Sequence, residues 1–132
     1  HVKPFINKTS EPAIENEATR ATIDEFLQDG TLEMVDKGEA DLVLTTTITG
    51  YRLAALQYDE ETSTTPEEYR LTLTANITLE HGLTGETMMV VSKSGESTFF
   101  LGGDLTTSKA DTLPEACEDL AHDIVETVVG YW

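Results

Sequence analysis

The chain has 132 residues, enough for one domain with one core, and its 39% hydrophobic content supports that core without disulfides. It carries 25 acidic against 8 basic residues, a net charge of −17 and a pI near 4.2. That balance excludes a nucleic-acid binder, which needs a basic face, and opposes simple electrostatic docking on anionic lipid. The single cysteine, Cys117, cannot form an internal disulfide and does not report the redox compartment. No run approaches the ~18 consecutive apolar residues of a membrane-spanning helix.

His1-Val2-Lys3-Pro4-Phe5 begins as if inside a strand, and the first residue is not Met. The expectation is a mature or trimmed chain whose targeting segment has been removed. Val2 to Ile6 reads as a short first strand, confined by Pro4 to an edge or a strand start. Asn7 to Pro12 is a turn-forming stretch, in which Ser10 is a candidate N-cap and Pro12 fits a first helical turn. A helix follows to about Gln28, with Ile14, Ala18, Ala21, Thr22 and Phe26 on one face. Gly30 stands where a left-handed cap would end it.

Thr31 to Val35 alternates as a short strand, and Asp36 to Glu39 is a turn. Two long alternating runs come next, Asp41 to Tyr58 and Glu67 to Glu80, separated by the polar stretch Asp59 to Pro66. They predict a β-hairpin with one buried face. Leu42, Leu44 and Ile48 occupy even positions but Tyr51 and Leu53 odd ones, which predicts a bulge or bend near Gly50. Some 15 residues of strand span roughly 50 Å, so the hairpin tip is expected to project from the domain. Glu86 to Ser97 is a further strand, and Phe99-Phe100-Leu101 reads as a loop. The last element is a helix capped by Thr107 or Ser108. Its apolar stripe is Leu113, Ala116, Cys117, Leu120, Ile124 and Val128, widened by Ala121 and Val125.

This order predicts an α+β two-layer sandwich: a mostly antiparallel, mixed sheet of four or five strands, two amphipathic helices on one face, and a long projecting hairpin. A right-handed crossover through the first helix would place the first strand parallel to a later one.

The residues offer no reaction centre. His1, His81 and His122 lie on a terminus, a turn and a helix, with no metal-ligand spacing. Asp59-Glu60-Glu61 lacks the spaced oxygens and internal glycine of a calcium loop. Lys93-Ser94-Gly95-Glu96-Ser97 has no nucleophile elbow, and Gly102-Gly103 belongs to no phosphate-binding motif. Cys117, inside an apolar helical stripe, reads as a small buried hydrophobe. No catalytic, metal or cofactor residue is assigned, and no cofactor is expected. What remains is apolar and aromatic material on the outer hairpin: Tyr51, Arg52, Leu53, Leu56 and Tyr58 on one strand, Tyr69 and Arg70 opposite. These residues either close the end of the core or form a docking surface, where Tyr and Arg are enriched.

Several segments together resemble the LPS-assembly lipoprotein family, LptE. They are Val2-Lys3-Pro4-Phe5-Ile6-Asn7-Lys8-Thr9-Ser10-Glu11-Pro12, then Glu39-Ala40-Asp41-Leu42-Val43-Leu44 with Ile48-Thr49-Gly50-Tyr51, then Tyr69-Arg70-Leu71-Thr72-Leu73, and Asp123-Ile124-Val125-Glu126 in the last helix. The similarity runs in order through nearly the whole chain, as one LptE-like domain over residues 1–132. Lys3 stands where the family often has a second proline.

The resemblance implies a non-enzymatic component of lipopolysaccharide transport. It would sit on the periplasmic side of the outer membrane as plug and assembly partner of the LptD β-barrel, attached through an N-terminal lipidated cysteine outside this sequence. It also implies two helices against a mostly antiparallel sheet. Family members can contact lipopolysaccharide, but that ligand is anionic. Against a net charge of −17, Arg52 and Arg70 are the basic residues near the hairpin. The alternative is a generic periplasmic small-ligand-binding or interaction domain, motivated by the mixed apolar and polar stretch Phe99 to Asp104.

Overall fold

The computed structural model describes residues 1–58, 66–100 and 105–132, with the side chains of 57, 58, 66, 67 and 105–107 left aside. The elements are β1 (Ile6–Asn7), α1 (Ile14–Asp29), a short 3-10 turn (Lys37–Glu39), β2 (Leu42–Tyr58), β3 (Pro66–His81), β4 (Thr87–Phe100) and α2 (Leu105–Tyr131). The strands form one four-stranded sheet in the order β1-β2-β3-β4. β1 pairs parallel with β2, and the other neighbours are antiparallel. This is the α+β sandwich read from the sequence, with both helices on one face.

The core follows the alternation of the strands. Leu71, Leu73, Ala75, Ile77 and Leu79 of β3 are almost fully buried, as are Leu44 and Ile48 of β2. Successive strand side chains point to opposite faces, so the intervening Thr72, Thr74, Asn76 and Thr78 form the other, open face. Helix α1 contributes Ile14, Ala18, Thr22 and Phe26 at helical spacing, and α2 contributes Ala116, Cys117, Leu120, Ala121, Ile124, Val125 and Val128. Gly30 ends α1 at φ 73°, its amide donating to the Phe26 carbonyl oxygen at 3.1 Å, the left-handed cap expected from its position. The expected irregularity near Gly50 is a bulge: Ile48 pairs with Ala75 and Gly50 with Thr74, leaving Thr49 unpaired.

Five local expectations are corrected. Thr31 to Val35 is not a strand. The N-terminal segment holds the edge of β2 that such a strand would need: Leu44 N donates to the His1 carbonyl at 2.9 Å, Lys3 N to Leu44 at 3.0 Å and Lys8 N to Ile48 at 3.0 Å. Leu32 and Met34 nevertheless pack against the core. The regular part of the first strand is Ile6–Asn7 rather than Val2 to Ile6, with Val2 making an isolated bridge to Leu44. Between them the Phe5 amide leaves the ladder and donates to Thr19 Oγ1 of α1 at 2.9 Å.

Ser10 does not cap α1, which starts from Ala13 at φ 66°. Instead the Asn7 side chain organises the turn, accepting from Thr9 N at 2.9 Å and donating to the Glu11 carbonyl at 2.7 Å. Phe99 and Phe100 are not in a loop. They extend β4 opposite Tyr69 and Glu68, and α2 is already helical at Leu105, ahead of the expected caps. Leu101, Gly102-Gly103, Asp104 and the hairpin stretch 59–65 lie outside the described residues.

The extra length of β4 changes the setting of the hairpin. β4 pairs with β3 from Glu80 to Glu68, so the outer hairpin is part of a three-stranded sheet as far as Glu68.

Candidate interaction surface

The bulge at Thr49 decides which outer-hairpin side chains face the helices. One extra residue flips the parity of everything beyond it. Tyr51 therefore pairs with Leu73, Leu53 with Leu71 and Ala55 with Tyr69, and all of these lie on the helix side. Tyr51 and Leu53 are half-buried and pack against the core. The Lys109 ammonium of α2 stands 5.9 Å above the Tyr51 ring and 3.7 Å from the Glu11 carboxylate. It thus joins α2 and the turn before α1 to β2 through one cation. Burial pushes the Tyr51 hydroxyl above its ordinary pKa, and the Glu11 charge adds to the shift.

Tyr69 is also on the helix side, its ring stacked on Phe99 with centroids 5.5 Å apart and planes at 14°. Arg52 and Arg70 take the opposite parity and are exposed on the open face. Arg70 Nε is 3.8 Å from Glu96 of β4, an exposed ion pair of small energetic weight. Leu56, beside the register shift between Ala55 and Gln57, is exposed. The Tyr58 backbone pairs with Pro66, while its side chain lies outside the described residues. Six of the seven sequence candidates thus divide: Tyr51, Leu53 and Tyr69 turn inward, and Arg52, Leu56 and Arg70 turn outward.

Pattern alone missed the partners of these residues. The stacking of Phe99 on Tyr69 depends on β4 continuing to Phe100, where the sequence pattern reads as a loop. The Glu11–Lys109 pair spans most of the sequence and left no local signal. At the far end of the sandwich, a cavity of about 380 Å³ opens among Phe26, Leu32, Met34, Leu42, Leu44 and Val128, with Glu33, Glu39 and Asp41 at its rim. Among the described residues, no group of three or more His, Cys, Asp or Glu is placed to hold a metal ion, and no helix is long and apolar enough to cross a membrane.

The arrangement defines a class: a two-layer α+β scaffold whose long sheet presents one open, polar face. The same fold occurs in a putative lipoprotein from Caulobacter crescentus, with a TM-score of 0.66 at 9% identity, covering 98% of this chain and 88% of that one. It also occurs in a minor lipoprotein from Acinetobacter baumannii, with a TM-score of 0.58 at 12% identity, covering 96% and 93%. The rare lipoprotein B from Shewanella oneidensis gives a TM-score of 0.53 at 11% identity, covering 98% of each chain. No curated protein matches the sequence.

Residues 1–128 match the LptE lipopolysaccharide-assembly family, and the chain belongs to that family. Membership makes it a non-enzymatic component of lipopolysaccharide assembly at the outer membrane, on the periplasmic side. It also implies, in general terms, partnership with an LptD-type β-barrel.

Proposed function

We propose that the outer half of the β2–β3 hairpin, from Tyr51 to Arg70, is the part of this chain that enters the lumen of the LptD-type barrel. The observation that carries this reading is the division of side chains beyond the Thr49 bulge. Tyr51, Leu53 and Tyr69 stiffen the outer sheet from the helix side, and Arg52, Leu56 and Arg70 are left on the surface. A stiff sheet with an exposed polar face suits contact with a protein wall. With a net charge of −17, the exposed Arg52 and Arg70 are the groups in this half best suited to an anionic lipopolysaccharide headgroup. Attachment to the membrane through an N-terminal lipid belongs to the same proposal.

The test is capture of the natural barrel under native expression by the intact protein and by a variant lacking Asp59 to Pro66. Loss of capture on deletion is expected, and undiminished capture would remove the hairpin from the interface. Arg52→Glu with Arg70→Glu should weaken lipopolysaccharide binding more than barrel capture. Equal loss of both would show that the division of roles is misdrawn.

A second reading, a small-ligand site, is favoured by the cavity of about 380 Å³ at the opposite end, a size within the usual range for such sites. A thermal-shift screen in which a small molecule raises the melting temperature saturably, with no barrel captured, would select it. The stretch Phe99 to Asp104 adds little to this reading, because Phe99 and Phe100 are strand residues.

A further inference from the structure

We infer that the outer edge of β4 accepts an extended polypeptide segment carrying Lys or Arg at alternate positions, adding it to the sheet as a fifth strand. The outer end of this edge, Thr98 to Phe100, belongs to the strand paired with the hairpin proposed to enter the barrel, but the inference does not depend on that reading.

β4 closes the sheet order β1-β2-β3-β4 and has 14 residues, where a strand commonly has about 5–6. Its register against β3 is unbroken from Met89 opposite Leu79 to Phe100 opposite Glu68. In such a ladder, alternate residues turn both backbone groups toward the partner strand or both away. The Glu96 amide donates to Asp119 Oδ2 of α2 at 2.8 Å, so Glu96 belongs to the outward set. Val90, Ser92, Ser94, Thr98 and Phe100 share its parity. Among the described residues, the outward groups given a partner on this edge are the Glu96 N–H and, beyond the register shift, the Met88 carbonyl, which accepts from Tyr131 Oη at 3.1 Å. A long edge of this kind is a template for strand addition.

The occupant is set by charge. Asp111, Glu115, Asp119 and Asp123 recur every four residues along α2, which places them in one row. The row runs beside the edge: Glu115 shares a groove with Thr98 and Phe99, Asp119 reaches the Glu96 amide, and Asp123 lies 3.7 Å from the Lys93 ammonium. Four helical residues advance about 6 Å, and two strand residues about 6.7 Å. An added strand therefore presents alternate side chains to the helix layer nearly in step with the carboxylates. Basic side chains complement that row. A second copy of this chain would bring its own −17 charge against it and is disfavoured.

The test uses the full chain and two blocked heptapeptides, one alternating Lys with Thr and one alternating Glu with Thr. The lysine peptide should bind saturably and slow amide hydrogen exchange at Ser92, Ser94 and Thr98 at least tenfold. The glutamate peptide should do neither. Ser94→Pro removes an outward N–H without touching the β3 ladder and should abolish binding. Asp111→Lys with Glu115→Lys, exposed helix positions that leave the strand unaltered, should weaken it at least tenfold. Absence of lysine-peptide binding, equal binding of both peptides, or indifference to both variants would overturn the inference. So would concentration-dependent protection of the same amides without peptide, which would assign the edge to a second copy. Barrel capture is not among these readouts, so failure here leaves the hairpin proposal standing.

Discussion

Gly95 of β4 lies against the backbone of α2 at Ala116: a Cβ on Gly95 would stand 2.6 Å from the Ala116 carbonyl oxygen and equally near Leu120 Cα. Real Cβ atoms do not approach backbone so closely, and neither neighbour is a flexible side-chain end. Gly95→Ala should therefore push the helix off the strand and destabilise the fold by about 2–3 kcal/mol. Gly30 provides the contrast. A Cβ there meets nothing within 4 Å, but φ is 73°, so Gly30→Ala should cost about 1 kcal/mol through backbone strain alone. Urea unfolding of the two variants measures both, and a smaller loss for Gly95→Ala than for Gly30→Ala would refute the close-packing account.

Thr46 is fully buried, and its Oγ1 has no hydrogen-bond partner among the described residues. Thr22, equally buried, donates to the Ala18 carbonyl at 2.9 Å. An unpaired buried hydroxyl carries a desolvation cost that its removal relieves. Thr46→Val keeps the β-branched shape and should raise stability by about 1 kcal/mol. A lower melting temperature for Thr46→Val would mean that the hydroxyl has a partner after all.

The difference between Gly95 and Thr46 shows what the sequence could reveal. Strand alternation, the helical stripes and the parity change at Gly50 are local patterns, and the sheet, the helix faces and the bulge were legible from them. Gly95 sat in a run read only as a strand. Its role depends on where α2 crosses the sheet, which no local pattern records. Thr31 to Val35 failed for a related reason: it alternates like a strand, but Val2, Lys3 and Lys8 already occupy the edge it would need. The division of the candidate surface was half legible. Parity beyond the bulge separates Tyr51 and Leu53 from Arg52, whereas the Lys109 and Phe99 contacts join residues remote in sequence.

Cys117 is fully buried in the α2 stripe. Burial pushes its thiol up to about 12, with the Glu17 and Glu118 charges adding to the shift. Because the thiolate is the reactive form, the native protein should resist alkylation by iodoacetamide at pH 8. Labelling should follow the fraction unfolded as urea is raised. Rapid labelling without urea would show that α2 opens locally at this position.

His122 of α2 and Glu25 of α1 tie the helices together on their outer side, with Nδ1 2.9 Å from Glu25 Oε1. The hydrogen bond to Glu25 raises the imidazole pKa, its charge adds to this, and Glu126 and Asp119 contribute further. The folded-state pKa thus lies above the unfolded value of about 6.5. A group raised in this way binds its proton more tightly in the folded state, so unfolding releases it. Its stabilisation is complete below the unfolded pKa and is lost as pH rises through the folded one. The wild type should therefore lose more stability than His122→Gln between pH 5.5 and pH 9, measured as the shift in urea midpoint. The gap should shrink in 1 M salt, because the pair is exposed and screened. Parallel pH profiles for the two proteins would show that the contact between α1 and α2 owes nothing to this pair.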